Sequence, residues 1–158
     1  HGFQGAERHD GREGVRLFDV NILVSAFRED SPGHRLFKQV LEETVNGPSP
    51  FGLSRTILSG FIRVSTHPRM FSPPTPLPDA LAFCDDLLSR ANFRWIEPGP
   101  THWGLFCRLC RETNATGNLV PDAWFAALAI ESGSTWVTGD RDYGLFKGLE
   151  RVFVGFGG

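Results

Sequence analysis

The pattern that most restricts this chain's fold is an alternation of short apolar runs with helically spaced ones, carried from residue 15 to the end. Val15-Arg16-Leu17-Phe18 is apolar enough for a buried strand, and it stops at Asp19. Ile22, Leu23, Ala26 and Phe27 then fall at helical spacing within 21–29. A second helix is expected from Ser31, as its cap, and Pro32, in its first position, to about Val45. Phe51-Gly52-Leu53 reads as a strand and 55–65 as a helix. Residues 67–78 hold five of the eleven prolines and read as a stiff loop. Beyond it come a helix to about Ala91, a strand at 93–96 and a helix over 101–113. Pro121-Asp122 opens the clearest helix, which ends at Glu131-Ser132-Gly133. Strands follow at Thr135-Trp136-Val137-Thr138 and Val152-Phe153-Val154. Such alternation predicts an α/β fold: a mainly parallel central sheet between two helical layers.

A length of 158 residues suits one domain. Residues 1–14 are polar, glycine-rich and aperiodic, and read as a tag or disordered extension ahead of a single domain at 15–158. The net charge of −2 gives no global basic signature, so contact with nucleic acid would need a local basic patch or a metal. Three cysteines, Cys84, Cys107 and Cys110, argue against a disulfide scaffold and for a reducing, cytoplasmic setting. Cys107 and Cys110 lack a second ligand pair and read as small core residues. No run approaches the ~20 apolar residues of a membrane span, and no signal-peptide pattern is visible.

Three aspartates are candidates for a shared site, two of them where an α/β sheet gathers ligands. Asp19 and Asp140 each follow a strand, and ligands of open sheets collect at the carboxyl ends of strands. Asp122 lies in the first turn of an otherwise apolar helix. Each also has a structural reading: Asp19 as a helix cap, Asp122 as a partner of the helix dipole, Asp140 as a turn former. Clustered carboxylates repel and raise one another's pKa unless a cation neutralises them. Oxygen ligation suits Mg²⁺ or Mn²⁺, which can acidify water and hold a phosphodiester for attack.

Four segments together resemble the PIN-domain nucleases and, more narrowly, the VapC toxins of bacterial toxin–antitoxin pairs. They are the run from Leu17 through Asp19 and Asn21 to Val24, the run from Leu58 through Arg63 and His67 to Arg69, Thr116-Gly117-Asn118 through Asp122 to Glu131, and Val137-Thr138-Gly139-Asp140-Arg141-Asp142-Tyr143. The resemblance implies metal-dependent endonucleolytic cleavage of RNA, with Asp19, Asp122 and Asp140 as catalytic metal ligands and Asp142 as a supplementary acid. It also implies Asn21, Asn118 and Thr138 as pocket residues, a VapB-type antitoxin that occludes the pocket with a basic side chain, and a homodimer. Arg63, His67 and Arg69 are candidates for RNA-phosphate contacts.

One position departs from the pattern. The family usually carries a glutamate on the helix after the second strand, and here that place falls near Gly60. Glu42 and Glu43 belong to the preceding helix and read as a solvated end. The loss favours one firmly held metal over two, and leaves a catalytically weakened binding or regulatory module as the alternative. A phosphatase with Asp19 as nucleophile would want an acid two residues on, where Asn21 stands. His34 reads as a surface residue, and Trp95, Trp103 and Trp124 read as core.

Overall fold

A computed structural model describes residues 14–155, so the expected extension lies, apart from Gly14, outside the described residues. Five strands, β1 (Arg16–Phe18), β2 (Phe51–Leu53), β3 (Phe93–Trp95), β4 (Thr135–Thr138) and β5 (Arg151–Phe153), form one sheet. Its order is β3-β2-β1-β4-β5, and every pairing is parallel. The chain therefore builds outward from β1 through β2 to β3, then returns to the other side of β1 for β4. That reversal opens a crevice between the carboxyl ends of β1 and β4, the place where open α/β sheets bind ligands. The register sets Phe18 against Val137, so Asp19 and Thr138 leave the sheet side by side.

Among the described residues, six helices flank the sheet: α1 (Val20–Phe27), α2 (His34–Val45), α3 (Arg55–Ser65), α4 (Leu77–Leu88), α5 (His102–Thr113) and α6 (Leu119–Ser132). Helix α1 packs on α2 and α3, and α3 on α4; α5 and α6 pack as a separate pair. Leu17, Phe18, Phe51, Leu53, Trp136 and Val137 of the strands are fully buried. Helix α6 is apolar around most of its circumference, which requires burial, and Ala123, Ala126, Ala127 and Ala129 are sealed.

Two helix starts differ from expectation. Helix α2 begins at His34 after Gly33, whose φ of 74° takes the left-handed conformation that glycine accepts freely, so Ser31-Pro32 form a turn and not a cap. Helix α6 begins at Leu119, which puts Pro121 in its third position. Proline is tolerated there because first-turn N–H groups lack helical partners in any case. The turn expected at Asp140 is the start of a 3-10 helix, Arg141–Leu145.

The tryptophans also depart from the core reading. Trp103 is 64% exposed and Trp95 40%, while Trp124 is half-buried. The sealed indole is Trp136, on the inner strand β4; its Nε1 has no hydrogen-bond partner among the described residues. His34 is half-buried, with Nδ1 2.9 Å from the Ser25 carbonyl. Among the described residues no helix is long and apolar enough to cross a membrane.

Candidate active site

Asp19 is fixed by the strand end it terminates. Its N–H donates to the Val137 carbonyl at 2.9 Å, which continues the β1–β4 pairing by one residue. Its Oδ1 accepts the Val20 N–H at 2.7 Å, so it caps α1. Its Oδ2 accepts the Thr138 hydroxyl at 2.6 Å. Only 7% of the residue is exposed. Burial pushes its carboxyl up to about 6 against the pull of these two bonds, and the charges of Asp122 and Asp140 add to the rise. Capping and clustering are thus the work of one side chain.

Thr138 joins two acids. Its Oγ1 donates to Asp19 and accepts the Asp140 N–H at 3.0 Å. Asn21 secures the same corner by accepting the Gly139 N–H through Oδ1 at 3.1 Å. This is a positioning bond from the residue that a phosphatase would need as an acid. Asp140 caps the 3-10 helix by accepting the Asp142 N–H at 2.8 Å.

Asp122 enters from the first turn of α6, where the helix dipole favours a carboxylate. Its Oδ1 accepts the Tyr143 hydroxyl at 3.2 Å. Its pKa is raised, chiefly by burial; the Tyr143 bond opposes the rise, and Asp140 and Asp142 reinforce it. Tyr143 is sealed in the core, and burial beside these acids holds its phenol protonated.

Asp19, Asp122 and Asp140 share a cavity of about 690 Å³ with Asn21 and Tyr143. Asp142 lies outside the lining residues, exposed, and acts on Asp122 through space. Asn118 sits at the start of α6, exposed and outside the lining. Arg63 lines the cavity; Arg69 and His67 stand on the loop beyond α3 and do not. There His67 Nδ1 accepts the Arg69 N–H at 3.0 Å.

Thr56 and Ser59 are among the lining residues that the sequence did not single out. They share a face of α3 with Gly60 and Arg63. The spacing 56, 59, 60, 63 is the signal that could have found them. Gly60 also explains the missing glutamate. A Cβ there would come within 2.9 Å of Val20 Cγ2, so α1 and α3 approach too closely for a larger side chain without movement. Glu43 stays exposed, accepting from Gln39, and does not line the cavity.

Among the described residues, no group of three His, Cys, Asp or Glu side chains is arranged to hold a metal ion by itself. The donor set still suits Mg²⁺, which keeps several waters and takes one or two carboxylates directly. Burial raises the Asp19 and Asp122 carboxyls, and the neighbouring aspartates add to the rise.

The PIN domain family model matches residues 16–149. Ribonuclease VapC43 of Mycobacterium tuberculosis is 40% identical over 131 residues, 83% of this chain and 89% of that protein. Ribonuclease VapC25 of the same organism is 34% identical over 136 residues, 86% of this chain and 96% of the relative. Among solved structures, VapBC2 from Rickettsia felis, bound to a DNA fragment from their promoter, aligns with a TM-score of 0.67 at 18% identity. That alignment covers 89% of this chain and 99% of the other, and speaks to the fold alone.

Proposed function

The chain belongs to the PIN-domain family, within its VapC branch, and from that membership we propose that it is a divalent-metal-dependent endoribonuclease, the toxin of a VapBC-type pair. The observation that carries this reading is the meeting of Asp19, Asp122 and Asp140 in one cavity at the β1/β4 crevice. Mg²⁺ or Mn²⁺, when bound, supplies an acidified water and neutralises charge on the phosphodiester. Asp19, Asp122 and Asp140 are the residues that would hold it. Thr138 ties the first and third of these together by hydrogen bonds, Asn21 holds the intervening corner at the Gly139 N–H, and Tyr143 orients the second. Arg63, at the cavity wall, is placed to pair with a phosphate oxygen. Asp142 contributes to the local field without lining the cavity.

An antitoxin would find a two-part surface here. Beside the acids the cavity is lined by Val20, Val24, Val64, Met70 and Phe71, which suits an apolar segment carrying a basic side chain. Homodimerisation and a cytoplasmic setting belong to the same reading.

The test is cleavage of single-stranded RNA with Mg²⁺ or Mn²⁺, compared between the parent and Asp122→Asn. Metal-dependent cleavage that falls by at least about a hundredfold in the variant, with folding intact, supports the reading. An inactive parent that still binds an antitoxin-like partner with every divalent ion tried would favour a binding module instead.

A further inference from the structure

We propose that the aromatic groove beside the acidic cavity is a nucleobase subsite, in which a base next to the cleaved phosphodiester of single-stranded RNA stacks. The inference rests on the nuclease reading and adds the residues that grip the substrate. The groove, of about 360 Å³, is lined by Thr56, Phe106, Val120, Pro121, Trp124 and Phe125. Thr56, Pro121 and Phe125 line the acidic cavity as well. A strand whose phosphate lies beside Asp122 therefore passes into the groove without leaving the surface.

The chemistry of the groove selects what can occupy it. None of its lining residues is charged, so it offers nothing to the backbone phosphates. Its rings offer what every base can use, a flat π face on which to stack, with little dependence on sequence. The rings are also held from behind. Buried His102 meets the Trp124 indole edge-on at 4.2 Å, and its Nε2 lies 3.0 Å from the Trp124 carbonyl oxygen. Phe106 packs against Trp124 with centroids 5.3 Å apart. Phe125 lies nearly parallel to the sealed Trp136, 5.5 Å away and 14° from coplanar. Phe106, Trp124 and Phe125 remain half-buried, so the surface is fixed before a ligand arrives and little freedom is lost on binding. Exposed Trp103, outside the lining, packs on Phe106 with centroids 5.4 Å apart.

The test measures binding of a short, unstructured, fluorescein-labelled oligoribonucleotide to the Asp122→Asn protein, with light scattering of each variant for its mass. Phe106→Leu and Trp124→Leu keep apolar bulk and remove a ring. Each is expected to weaken binding about tenfold at unchanged mass. Trp95→Leu is the control, because that ring lies under Arg55 outside the groove, and its binding should stay at the parent value. Val120→Trp fills the groove without removing a packed ring. It should weaken binding even if Trp124→Leu proves unstable. Unchanged affinity in Phe106→Leu and Val120→Trp overturns the subsite, and so does an equal loss in Trp95→Leu. Weaker binding that accompanies a halved mass overturns it too, and assigns the groove to a second copy of the chain. A parent that neither cleaves nor binds RNA overturns the nuclease reading, and the subsite with it.

Discussion

Asp19 is a carboxylate that the fold holds at a cost. Its folded pKa of about 6 exceeds the ordinary 3.8, so the folded state binds the proton more tightly than the unfolded one. The stability this proton contributes is complete below the unfolded value and is lost as pH rises through about 6. Asp19→Asn keeps a capping oxygen and removes the charge. It should be more stable than the parent at pH 7.5 without metal, by about 1–3 kcal/mol, and the difference should vanish toward pH 4. Urea denaturation at the two pH values reads this directly, and RNA cleavage should be lost in the same variant. A stability difference that persists unchanged at low pH would place its origin outside the ionisation. At this scale the sequence was informative where a motif met a strand end, as at Asp19 and Asp140. Tyr143 was visible only as part of a motif, because its bond to Asp122 spans 21 positions and has no local signature.

At the scale of elements, the contact of α1 with α3 decides which acids the site can have. With Gly60 set against Val20, the helix on which the resemblance leads one to expect a glutamate presents Thr56, Ser59 and Arg63 to the cavity. Gly60→Ala should destabilise the protein by about 1–3 kcal/mol through overpacking, seen as a lower melting temperature. Helical propensity alone would make alanine the stabilising choice, so the sign of the change separates the two effects. The elements themselves were legible, because apolar periodicity survives in each strand and helix. Their starts were less so. Ser31-Pro32 carries a helix-initiating pattern, yet Gly33 takes the left-handed turn and delays α2 by two residues. Trp95 and Trp103 sit on regular elements but face outward, a matter of helix and edge-strand orientation that composition does not encode.

At the scale of the whole molecule, strand order does what no motif states. The return of the chain to place β4 beside β1 brings residues 19 and 138 into hydrogen-bond contact across 119 positions. That topology follows from the alternation of strands and helices only once the order is known, and a parallel sheet allows several orders. The same arrangement concentrates negative charge in one crevice of a nearly neutral chain. Mg²⁺ should therefore raise the melting temperature, and by more at pH 7.5 than at pH 5, where protons compete for Asp19. A shift that is equal at both pH values would point to ion binding elsewhere.

A single metal-dependent cleavage site built from Asp19, Asp122 and Asp140 is tested by following Mn²⁺ binding through electron paramagnetic resonance alongside RNA cleavage. The comparison is between the parent and Asp122→Asn, Asp140→Asn and Asp19→Asn. Mn²⁺ affinity and cleavage are expected to fall together in all three while the fold persists. Cleavage that survives chelation, or Mn²⁺ binding at parental strength in every variant, would contradict it.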